Sequence, residues 1–178
     1  MIRATHIVAN IVSMVDVLDK LTPLFLRHNQ ISVTARPGAA EPLIDGIGWI
    51  PEGVSESDYS VVTEPFIGTE FERILGSLPF AYGRTRLMRM RSKTCLSIHA
   101  DPSQRYHLAL ITNPGCYIIG VSGDKGNFHH IPADGRLYEM DAHRTHTALN
   151  SGAEDRIHLV ICPAVAKRPD DADPVGRK

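Results

Sequence analysis

At 178 residues the chain can build one domain with a proper core and is too short for two comfortable ones. A composition of 43% hydrophobic and 22% charged residues excludes a disordered or membrane-like chain. The net charge of -1, from 19 basic and 20 acidic residues, gives no electrostatic case for nucleic acid or an anionic membrane as partner, so a small-molecule or peptide substrate is the expectation.

The N-terminal stretch MIRATHIVANIVSMVDVL is apolar but interrupted by His6, Asn10, Ser13 and Asp16. It holds neither a spanning run nor a signal-peptide order of regions, which makes cytoplasmic the default location. Residues 13–28 place Met14, Val17, Leu18, Leu21, Leu24 and Phe25 on one helical face, with Ser13 as N-cap and Pro23 as a kink or stop. Residues 31–35 read as a strand, and the Pro- and Gly-rich segment 37–56 as loop with at most short strands. A second helix is predicted near 68–77, burying Phe71, Ile74 and Leu75.

From about residue 84 the texture changes to short β-prone stretches: 84–91, 95–99, 105–112, 116–121, 136–140, 145–149 and 156–162. Turn signals such as Asp101-Pro102, Asn113-Pro114-Gly115, Asp134-Gly135 and Asn150-Ser151-Gly152 separate them. The expected fold is therefore mainly β, a sandwich or barrel with the N-terminal helices packed outside one sheet. The domain should span 1–166 with its β core about 84–163, followed by a polar, disordered tail at 167–178. Cys95, Cys116 and Cys162, without a C-x-x-C, read as buried free thiols of a reducing compartment.

Seven of the nine histidines lie between 99 and 158, more than core filling explains. His99 and Asp101, two apart on a strand, point to one face and can converge on one ion. A third donor, His146, would complete a 2-His-1-carboxylate facial triad, which leaves positions open for a cosubstrate and O₂ on Fe(II). Arg156 follows His146 by ten residues, and a hairpin centred on Ser151 would set the two opposite each other. The guanidinium could then grip the far carboxylate of a metal-chelating dicarboxylate. Arg105-Tyr106-His107-Leu108 and Arg156-Ile157-His158-Leu159 repeat one pattern, Arg and His on one face and apolar residues on the other. Arg105 and His107 thus become further candidate anion contacts lining the interior. The arginines of 84–91 could meet a substrate carboxylate, although the phase slip between Arg86 and Arg89 prevents all four from sharing a face.

The segments HADPSQRYHLAL (99–110), GRLYEMDAHRTHTALNSG (135–152) and DRIHLVI (155–161) resemble the double-stranded β-helix (jelly-roll, cupin-like) core of the aspartyl/asparaginyl β-hydroxylase-like branch of Fe(II)/2-oxoglutarate oxygenases, which includes bacterial proline hydroxylases. The resemblance implies His99, Asp101 and His146 as iron ligands and Arg156 as partner of the 2-oxoglutarate C5 carboxylate. It implies Arg105 and His107 near cosubstrate or substrate, and an activity that hydroxylates an aliphatic C–H with release of succinate and CO₂. His143 competes for the distal ligand position but lacks the ten-residue spacing to an Arg; His129 and His130 have no counterpart in the family pattern. A cupin-like metal enzyme that uses no 2-oxoglutarate and a non-catalytic ligand-sensing barrel are the alternatives. Substrate identity and oligomeric state stay open.

Overall fold

In a computed structural model, which describes residues 1–164, strand β1 (Ile2–Val8) leads into helix α1 (Ile11–Phe25), followed by short strands β2 (Gln30–Ser32) and β3 (Thr34–Ala35). Helix α2 (Pro42–Asp45), a 3-10 turn at Glu56–Asp58, strand β4 (Val61–Val62), a second 3-10 turn at Glu64–Phe66 and helix α3 (Glu70–Gly76) complete the N-terminal part. Strands β5 (Tyr82–Met90), β6 (Thr94–Cys95), β7 (Arg105–Ile111), β8 (Cys116–Ser122), β9 (Lys125–His129), β10 (Arg136–Met140), β11 (His146–Asn150) and β12 (Arg156–Pro163) follow. They form an antiparallel six-stranded sheet in the order β1-β10-β7-β12-β5-β2 and an antiparallel four-stranded sheet in the order β6-β11-β8-β9. The fold is mainly β and cupin- or jelly-roll-like, as the sequence predicts.

Period-two alternation in β5, β7 and β12 decides how the layers stack. Leu87, Leu108, Leu110, Ile157, Leu159 and Ile161 turn one way and enter a single core with helix residues. Met14, Leu18, Leu21 and Phe25 of α1, spaced four, three and four apart, supply the helical stripe, and Phe71, Ile74 and Leu75 of α3 extend it. The opposite face of the same sheet meets the smaller sheet through a second cluster of Ala109, Ile118, Ile131, Met140 and Ala142. Polar interior residues occupy the rest of that space.

Several expectations change. Helix α1 starts two residues early because Asn10, not Ser13, is the cap: its Oδ1 accepts from the Ser13 N–H. Pro23 lies in the last turn, and the helix continues two residues past it. The segment 37–56 carries the single helical turn α2 rather than strands. Strands β1 and β9 are absent from the sequence reading; β9 is exposed along most of its length, so no apolar alternation marks it. Of 95–99, only Cys95 belongs to a regular strand, and Cys95 is exposed because β6 is an edge strand, while Cys116 and Cys162 are buried free thiols. The predicted tail 167–178 lies outside the described residues. Among those described, no helix is long and apolar enough to cross a membrane.

Candidate metal centre

His99 and His146 come together through the backbone. They form an isolated antiparallel bridge, His99 N–H donating to the His146 carbonyl at 2.9 Å and His146 N–H to the His99 carbonyl at 2.8 Å. Their rings stand 4.4 Å apart between centroids. Asp101 is fixed two residues on by its N–H, which donates to the Ala142 carbonyl at 2.9 Å. One donor atom from each of His99, Asp101 and His146 lies within 4.8 Å of the others, and His146 Nε2 is 3.7 Å from Asp101 Oδ2.

Hydrogen bonding sets the imidazoles for coordination. Nδ1 of His99 sits 2.8 Å from the Ser97 carbonyl, and Nδ1 of His146 sits 2.8 Å from the Arg144 carbonyl. A carbonyl only accepts, so each Nδ1 carries the proton and each Nε2 keeps its lone pair. Burial pushes His146 below the ordinary imidazole pKa, which holds it neutral. Two imidazole nitrogens and one carboxylate oxygen on one side of an ion match the donor set of a divalent first-row metal with open positions, so these residues fit Fe(II).

The interior face of the large sheet surrounds this group. Arg86, Val160 and His107 stand side by side in register across β5, β12 and β7, and His158 occupies the next row between Met88 and Ala109. Arg84, Arg86, Arg105, His107, Arg156 and His158 are all buried. Burial first, then the nearby cationic groups, Arg156 foremost, push the His107 pKa down to about 3, so the ring is neutral. Both ring nitrogens of His158 and Nδ1 of His107 are buried without a partner.

The expected hairpin between His146 and Arg156 does not form. β11 pairs with β6 and β8, whereas β12 pairs with β5 and β7, and Arg156 lies opposite Met90. The turn after β11 carries the chain from one sheet to the other. Asn150 clasps that corner, its Nδ2 donating to the carbonyls of Met90, Arg91 and Glu154. His146 and Arg156 thus belong to facing sheets, a relation that strand spacing alone does not reveal.

Arg156 is 4% exposed, its Nε is buried without a partner, and among the described residues no carboxylate pairs with it. Burial lowers its pKa to about 10. Arg105 differs: Nη2 lies 2.8 Å from Glu56 Oε1 and 3.1 Å from Asp101 Oδ1, so its charge is already met by two carboxylates. Arg86 donates to Gln30 Oε1 at 3.0 Å but leaves Nε buried without a partner. Arg84 donates to the carbonyls of Gly46, at 2.7 Å, and Gly48, pinning the loop that carries Trp49. Arg89 points the other way, onto Phe25 and Asp155. His143 is exposed and outside the donor group, His130 Nδ1 donates to the Cys116 carbonyl at 2.9 Å, and His129 is half-buried. Glu56, from a segment without any motif, is the site residue that sequence reading missed; nothing in the spacing of 37–56 marks it.

No curated protein matches the chain. Among solved structures it is similar to an oxidoreductase of the 2OG-Fe(II) oxygenase family from Burkholderia pseudomallei, at 16% identity and TM-score 0.45, covering 82% of this chain and 76% of that one. It is also similar to a cupin domain from Bordetella pertussis Tohama I, at 9% identity and TM-score 0.39, covering 49% of this chain and 86% of that one. The family model for aspartyl/asparaginyl β-hydroxylase matches residues 71–163. That span is just over half of the sequence and holds all three donor residues along with Arg105, His107 and Arg156, so the chain belongs to the aspartyl/asparaginyl β-hydroxylase family.

Proposed function

We propose that the chain is an Fe(II)- and 2-oxoglutarate-dependent dioxygenase that hydroxylates an aliphatic C–H of an amino acid, an amino-acid residue or a related small molecule, with release of succinate and CO₂. Family membership supports an oxygenase, and the donor geometry of His99, Asp101 and His146 supports the metal. The observation that carries the cosubstrate is Arg156, a buried guanidinium without a counter-ion among the described residues, on the face that looks toward the smaller sheet. Leaving such a charge uncompensated is costly, and a bound carboxylate in fork geometry compensates it.

Fe(II), when bound, supplies the redox chemistry that couples O₂ and the 2-oxoacid to C–H oxidation. The chain's own residues do the rest. His99 and His146 offer lone pairs and Asp101 one carboxylate oxygen. Arg156 binds the distal C5 carboxylate and so orients the cosubstrate. Ile118, Ile131 and Met140 keep water from that part of the interior. Once Arg105 is paired with Glu56 and Asp101 and Arg156 with the cosubstrate, Arg86 remains without a carboxylate among the described residues, with His107, whose Nδ1 is buried without a partner, in the same row. An acidic group on the substrate suits that position, in keeping with an amino acid.

Anaerobic titration with Fe(II) and then 2-oxoglutarate, followed by visible absorption, tests the assignment, with succinate release measured over a panel of amino acids and short peptides. The wild type is expected to develop the weak band of the chelate. Arg156→Met should keep the metal, lose the 2-oxoglutarate response, and melt in its metal-free form no lower than wild type, because an uncompensated buried charge is gone. His146→Ala should lose the metal. Metal binding that never responds to 2-oxoglutarate would sink the cosubstrate, and with it this activity.

A further inference from the structure

Glu56 lies outside residues 71–163, in the 3-10 turn Glu56–Asp58 of the N-terminal part. Three local features hold that turn in place. Ser55 and Asp58 form a capping box, with Ser55 N–H donating to Asp58 Oδ2 at 2.6 Å. Tyr59, directly after, is fully buried. The Glu56 carbonyl approaches strand β5 so closely that a Cβ on Gly83 would lie 2.3 Å from its oxygen, which only glycine at position 83 permits. The backbone of Glu56 is thus seated against the strand that begins the site.

From that seat its side chain meets Arg105 end on. Oε1 lies 2.8 Å from Nη2, Oε2 accepts from Nη1 at 3.1 Å, and the Ser103 hydroxyl donates to Oε2. Nη2 of Arg105 is shared with Asp101 Oδ1 at 3.1 Å, while Asp101 Oδ2 turns to His146. The side chains of Arg105 and Glu56 are only 6% and 10% exposed, so solvent does little to loosen the contact.

Contacts run from Glu56 to Arg105 to Asp101, one of the three candidate metal donors. Glu56 acts in two ways. It restrains the guanidinium, which holds Oδ1 and leaves Oδ2 on the side of His146, where it would serve an ion. It also offsets the Arg105 charge that Asp101 Oδ1 would otherwise meet alone. We infer that Glu56 is a positioning residue of the metal centre, acting on Asp101 through the buried Glu56–Arg105 ion pair. The role rests on His99, Asp101 and His146 being a metal site.

The test uses Co(II) as probe on the full chain, by calorimetric titration and by the d–d absorption of the loaded protein. Glu56→Gln keeps the shape and loses the charge; it is expected to weaken Co(II) binding about 10- to 100-fold and to alter the d–d spectrum. Glu56→Asp, which keeps the charge, should recover part of the affinity, and it carries the test if Glu56→Gln does not fold. In an Asp101→Ala background, where Co(II) binding is already weakened, adding Glu56→Gln should cost under about 2-fold, as coupling through one intermediary requires. Equal Co(II) affinity of wild type and Glu56→Gln, or a penalty undiminished by Asp101→Ala, would overturn the positioning role and leave the metal centre standing. A wild type that binds no Co(II) would overturn the metal centre itself, and this role with it.

Discussion

The large sheet carries two contrasting faces on the same strands. Along β12, Ile157, Leu159 and Ile161 point to the helices, and Arg156, His158, Val160 and Cys162 point to the other sheet. Both faces are buried, so burial does not separate them; satisfaction of chemistry does. The outer face is apolar and complete in itself, whereas the inner one leaves nitrogen atoms of Arg86, Arg156, His107 and His158 without partners. Folding free energy comes from the first face and is spent in part on the second. A protein keeps such a deficit where a ligand completes it.

That contrast can be broken or sharpened by substitution. The largest stability effect is expected on the outer face: Leu159→Ala, at a site 0% exposed, should cost about 2–5 kcal/mol in denaturant unfolding while leaving metal affinity unchanged. A change in metal affinity as large as in the ligand variants would mean that the two faces are not independent. The intermediate effect concerns pH and the inner face. Between an ordinary pKa of 6.5 and its folded value of about 3, His107 is protonated in the unfolded chain but not in the folded one. Stability is therefore lost as pH falls from about 6.5 toward 3, by up to about 1.4 kcal/mol per pH unit for this one proton. In the metal-free protein, His107→Leu should unfold with a shallower pH slope over that window; identical slopes would show that the interior accepts the proton freely. The smallest effect is expected at the rim, where Arg144→Ala removes an exposed pair with Asp141, and thermal and denaturant unfolding should register no more than about 0.5 kcal/mol.

How much of this could be read from residues follows the same division. The outer face was legible because Met14, Leu18, Leu21 and Phe25 repeat at helical period and β12 alternates strictly, so the helices were expected against one sheet. His99, Asp101 and His146 were legible as residue types suited to one ion. Their geometric relation to Arg156 was not: the sequence pointed to a hairpin, but the chain switches sheets after Asn150, an event decided by long-range pairing of β12 with β5 and β7. Arg105 looked like an anion contact because its neutralising partner sits 49 residues earlier in a segment without periodicity. Strand β9 escaped for the opposite reason, having almost no buried face to announce it.

The bridge between His99 and His146 has a consequence for handling the protein. Two of the three donors are spaced by mutual backbone hydrogen bonds rather than by the ion they would share. The nest for the ion is therefore assembled by chain folding alone, and stripping with a chelator should empty it without melting the sandwich. A metal bound there would then be removable and reloadable, and which ion the donors hold would depend on supply during preparation as well as on the protein.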